Sequence, residues 1–130
     1  MKKAIGVVVA VAILSVGGVA LGGLRSVANV TVDTKNRTAM GGLGSARNST
    51  DTVEFISINV ESTPTGAPTV SIVAEDSKGN FGSCQSTSQN IVTVARTIGN
   101  DGEILFNWDA ESNCTSLTVT LASFTPPKKL

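Results

Sequence analysis

The chain has 130 residues, ten basic and ten acidic side chains, and neither histidine nor tyrosine. That length holds one domain plus an appendage. Without histidine the commonest general base is missing, and beyond residue 28 ten acidic side chains outnumber seven basic ones, so catalysis and phosphate-backbone binding are both disfavoured.

Residues 1–28 open with Lys2 and Lys3 and continue as an apolar run from Ala4 to Leu24, broken only by Ser15. Twenty-one residues at the helical rise make about 31 Å, close to the hydrocarbon thickness of a bilayer. Three fates are open to such a segment. Export can remove it, with Ser26-Val27-Ala28 offering small residues for cleavage before Asn29. It can stay as a membrane anchor through residues 4–24, or it can stay as the packing core of a filament. Gly6 with Ala10, and Gly18 with Gly22, place small residues four apart, a spacing that lets apolar helices approach closely.

The junction Lys2-Lys3-Ala4 before Ile5-Gly6-Val7 resembles the leader of archaeal type IV pilins. That resemblance covers about the first 28 residues. It implies cleavage between Ala4 and Ile5, a retained helical core built from copies of this segment, and an outward-facing β-domain. Bacterial pilins carry a glutamate five residues into the mature chain; Val9 stands there, so the bacterial branch does not fit.

After residue 28 the text changes to Val, Thr, Ser and Gly, which suit strands and turns. Residues 29–34, NVTVDT, alternate as a strand. Residues 35–51 are polar and glycine-rich and predict a linker. TVEFISINVE aligns Ile56, Ile58 and Val60; TVSIVAE aligns Val70, Ile72 and Ala74. FGSCQ is a short strand. NIVTVART predicts another, with Val92 and Val94 on one face. GNDG is a hairpin turn before EILFNW, where Ile104, Phe106 and Trp108 share a face, and SLTVTLAS directs Leu117, Val119 and Leu121 inward. The chain thus divides into an apolar segment (1–28), a strand plus linker (29–51), a β-domain (52–125) and a tail (126–130) ended by Pro126-Pro127.

Short strands at regular spacing predict a mainly β fold, a sandwich of about seven strands preceded by one N-terminal hydrophobic helix. The stretch from Val70 to Asn80 is similar to a strand-turn of immunoglobulin-like surface domains, which implies an immunoglobulin-like sandwich. In an exported chain Cys84 and Cys114 read as one disulfide.

Candidate chemistry is sparse. The acidic pairs Glu75-Asp76, Asp101-Glu103 and Asp109-Glu111 fit solvated loops, and no catalytic residue is expected. Asp76-Ser77-Lys78-Gly79-Asn80 superficially resembles a calcium loop but lacks the ligands in register, so it reads as a turn. Glycosylation acceptors stand at Asn29, Asn36, Asn48 and Asn113. The expectation is an extracellular or cell-surface structural subunit that assembles with itself through its N-terminal segment. It needs no cofactor or metal, takes no small-molecule substrate, binds no nucleic acid, and meets the membrane through residues 4–24 at least before processing. A second form of this reading removes residues 1–28 and inserts residues 29–34 into a neighbour's sheet as a donor strand. A secreted or anchored binding module, or a viral envelope protein, would share these features.

Overall fold

A computed structural model describes residues 26–125 and Pro127. The expected hydrophobic helix, the Ala4–Ile5 junction and the small residues Gly6, Ala10, Gly18 and Gly22 lie outside the described residues, as does the rest of the tail. The described chain runs β1 (Thr31–Asp33), β2 (Thr38–Gly42), α1 (Leu43–Asn48), β3 (Phe55–Glu61), β4 (Thr69–Glu75), β5 (Phe81–Ser86), α2 (Gln89–Ala95), β6 (Glu103–Trp108) and β7 (Cys114–Thr120).

The strands form two antiparallel sheets, β1-β2-β6-β7 and β3-β4-β5. Alternation decides which side chains meet between them. Val32, Ala39, Ile104 and Phe106 come from the first sheet; Ile56, Val70, Ile72 and Ala74 come from the second. Val92 and Ala95 of α2 close the same core. The strand β4 shows the pattern most plainly, since Val70, Ile72 and Ala74 are wholly buried while their neighbours are half-buried.

β5 lies over the ends of several strands of the first sheet: Asp76, just before it, reaches Val32; Gly82 sits under Trp108; Cys84 is bonded to Cys114. A Cβ at Gly82 would come within 2.5 Å of the Trp108 ring, so only glycine lets the indole cover this corner. β3 lies toward the opposite end, beside α1.

The immunoglobulin-like expectation is corrected to a two-sheet sandwich of different connectivity. Constant-type immunoglobulin domains pair strands one, two, five and four, and three, six and seven, with the sheets aligned. Here the second sheet is an uninterrupted meander, β3-β4-β5, and the chain then returns to β6 beside β2.

Two segments depart from their expected form. Residues 90–97, expected as a strand, fall mostly within the helix α2. Ile91, Val92, Ala95 and Ile98 recur at helical spacing and all pack on the core. That burial overrides the strand preference of the β-branched residues. The Thr93 hydroxyl donates to the Gln89 carbonyl at 2.8 Å, which satisfies it inside the helix. GNDG therefore joins a helix to β6 and makes no hairpin.

Residues 35–51, expected as a linker, carry β2 and α1. Their glycines serve close packing instead of flexibility. A Cβ at Gly41 would fall 2.9 Å from Val30 Cγ2 and 3.1 Å from its Cα, so glycine lets the chain before β1 lie directly on β2. Ser45, buried in α1, accepts from the Ala28 N–H at 3.0 Å, and Gly42 N–H donates to the Ala28 carbonyl. In the last strand, Leu117 packs on the core but Leu121, expected inward, is 60% exposed beyond the end of β7.

Candidate functional site

At the end of the sandwich where β5 lies, three turns share one chemistry. In the β1–β2 turn, Asp33 accepts from the Asn36 backbone N–H (2.9 Å) and side-chain amide (2.6 Å). In the β4–β5 turn, Asp76 accepts from the N–H groups of Lys78 and Asn80 and from the Asn80 amide, all at 2.9 Å. In the β6–β7 turn, Asp109 accepts from the N–H groups of Glu111 and Asn113 and from the Asn113 amide. Each turn also holds a residue in the left-handed region: Arg37 (φ 51°), Gly79 (φ 80°) and Ser112 (φ 63°). An aspartate that binds the backbone ahead of it is the local device that fixes such turns.

Asp76 goes further. Its carboxylate also receives the outward N–H of Val32 at 3.4 Å, so one side chain ties the β4–β5 turn to the edge of the other sheet. The 109–113 turn likewise leans on β5, where Gln85 N–H donates to the Ser112 carbonyl. The Cys84–Cys114 disulfide lies beside it, with Cα atoms 4.9 Å apart.

These bonds set the acidities. Asn36, through its backbone N–H and then its amide, lowers the Asp33 pKa below the ordinary 3.8. For Asp76, desolvation pushes upward but the donors from Asn80, Lys78 and Val32 outweigh it, and the net shift is downward. Asp109 is lowered by the Asn113 amide and backbone, with a smaller pull from the Arg37 charge. Carboxylates surrounded by N–H donors are spent as acceptors and present the wrong dipoles to a cation. This applies to the Asp76–Asn80 turn, which superficially resembles a calcium loop.

The sequon asparagines fall into different settings. Asn29 is exposed just before β1. Asn36 and Asn113 are exposed, and each is the amide donor of an aspartate turn. Asn48, half-buried at the end of α1, donates its amide to the Pro127 carbonyl at 2.9 Å. Sequence reading found the sequons and the Asp76–Asn80 turn but not the aspartate device common to all three turns, although the spacing DTKN, DSKGN and DAESN announces it.

The opposite end is built from α1, β3, the 98–102 turn and the termini of the described chain. Ser26 N–H donates to the Phe124 carbonyl and Leu43 N–H to the Gly102 carbonyl. Here a groove of about 470 Å³ runs beside β3, lined by Leu43, Arg47, Glu54, Ile58 and Ile98 among others. Glu54 is only 9% exposed, and its Oε1 is shielded from solvent without a hydrogen-bond partner. Sequence reading passed over it, yet Glu54 stands in phase with Ile56, Ile58 and Val60, an acid on an apolar face.

Among the described residues no group of three or more acidic or cysteine side chains is placed to hold a metal, and no helix is long and apolar enough to cross a membrane. Comparison with protein-family models, with curated proteins and with solved structures finds no match.

Proposed function

We propose that the chain is a non-catalytic structural subunit of an extracellular or cell-surface homopolymer, assembled through its N-terminal segment. The carrying observation is the polarity of the sandwich. Residue 26, where the apolar segment joins the body, is bound beside Phe124 at the end that also bears α1 and the open groove. The braced turns, with Asn36 and Asn113 exposed on them, lie at the far end. A subunit joined to its neighbours through the first end would present the second outward, where glycans on Asn36 and Asn113 would shield it.

The form in which residues 29–34 act as donor strand is not carried forward. Val30 and Val32 are buried in the chain's own core, and β1 pairs with β2 across a tight turn, leaving no linker to reach a neighbour.

The second reading is a binding or adhesion module. It draws on exposed Phe55 and Phe81, which flank Glu75 in one cross-strand row of the second sheet. Microscopy of sheared cell surfaces, combined with N-terminal sequencing of the native protein, separates the two. Filaments whose subunit begins at Ile5 support the polymer; monomers beginning at Asn29 overturn it.

A further inference from the structure

The sheet edges differ in how they are closed. On β1, Asp76 takes the Val32 N–H; on β5, the 112–113 segment pairs with Gln85; on β7, α2 packs alongside. β3 is seven residues long and contains no proline and no basic side chain. Among the described residues its backbone bonds only to β4. Helices α1 and α2 touch β3, but no backbone bond closes its edge, and a long edge with unpaired backbone groups is a template for a further strand. Its inward side chains Ile58 and Val60 are only half-buried, so the core itself is unfinished there.

The groove beside β3 states what the missing strand should bring. Glu54, at its β3 side, is a buried carboxylate with an orphaned oxygen, and such a group calls for a donor, best a charged one. Arg47 lines the same groove and makes no ion pair with it.

We propose that β3 and its groove accept residues 5–13 of a second copy as an added strand, with the amino group at the start of that segment placed on Glu54. This rests on the polymer reading above and names its acceptor. Three observations select the occupant. Ile5, Val7, Val9, Val11 and Ile13 are β-branched and recur at period two; Gly6, Ala10 and Ala12 between them are small and Val8 alone is not, which suits a strand with one filling face. Lys2 and Lys3 precede this run, and cleavage before Ile5 would put a free α-ammonium at the same place. The twelve residues from 14 to 25 can span up to roughly 40 Å, enough to reach the next copy from Ser26. Each subunit is then donor and acceptor at once, a head-to-tail contact that propagates without closing.

The test joins neighbouring amines and carboxylates of the intact native protein with a carbodiimide and sequences the linked peptides. The expected result is a polymer carrying a link from Glu54 to an amino group among residues 2–5. Two variants assign the copies. Val9→Asp breaks the donor and Ile58→Arg the acceptor; each alone should lose the polymer, and the two expressed together should give dimers that stop. Glu54→Gln, a mild change, should keep the fold and lose the link and most of the polymer. A wild-type polymer without the link overturns this acceptor while the polymer reading stands, as a packed helical core would predict. A monomer with the link means the groove takes its own segment and overturns the second copy. A monomer without it ends both.

Discussion

The two ends of the sandwich contrast in how their polar groups are spent. At the β5 end three aspartates have every role assigned, and a disulfide holds the corner. At the β3 end a buried carboxylate has an oxygen with no donor and an edge strand stands open. Asn107 Oδ1, on β6 beside the braced turns, is also buried without a partner, so what marks the β3 end as a place of attachment is an orphaned acidic oxygen beside an open edge strand. The largest expected effect tests the braced end. Replacing both Cys84 and Cys114 by alanine removes a cross-link closing about 30 residues. The chain-entropy relation values it at about 3–4 kcal/mol. Urea denaturation should show that loss, and amide exchange should quicken first in β5 and in the 109–116 segment. Equal quickening in β3 would mean that the ends are not distinct.

A matched pair of substitutions sharpens the contrast. Asp76→Ala strands the N–H groups of Val32, Lys78 and Asn80 and should cost about 2–3 kcal/mol, since bonds to a charged acceptor are the strong ones. Glu54→Gln removes a buried charge with an orphaned oxygen and should leave subunit stability within about 0.5 kcal/mol or raise it. Equal losses for the two would show that Glu54 already has its partner inside the subunit.

Much of this contrast was legible in the sequence. Period-two alternation located β3, β4, β5, β6 and β7, because those strands bury one face and the spacing records it. It failed at residues 90–97, where Ile91, Val92 and Val94 satisfy either period and burial of Val92 with Ala95 decides for helix. It failed again at residues 38–48, where glycine reports close approach as readily as freedom, and only the neighbouring Val30 tells which. The aspartate turns were written in the local spacing. The groove was not, since it depends on α1 meeting β3 and the 98–102 turn, a contact that no local pattern encodes.

Acid should act on the two ends unequally. Asp33, Asp76 and Asp109 have folded pKa values below the ordinary 3.8, so the unfolded chain takes up protons first as pH falls. Their contribution is therefore whole above that value and is lost as the pH drops through the lower folded values. A denaturation series from about pH 5 to pH 2 should show stability falling over that window. The slope should flatten in Asp76→Asn, and opening should begin at the β5 end. Stability that rises toward low pH would contradict the turn geometry.

The smallest effect concerns backbone strain inside the braced end. Ser112 holds a left-handed conformation that costs a non-glycine residue about 1–2 kcal/mol, against the glycine's own entropic cost of about 0.5–1 kcal/mol in the unfolded chain. The difference favours Ser112→Gly by roughly 0.5 kcal/mol, because the Ser112 backbone bonds to Asp109 and Gln85 do not involve the side chain. Arg37→Gly relieves the same strain but forfeits the pull of its charge on Asp109, so its gain should be smaller. Gly79→Ala runs the other way and should cost about 1 kcal/mol at φ 80°. If all three left the denaturation midpoint unchanged, the turns would be relaxing around these residues, and the β5 end would be less rigid than its bonds imply.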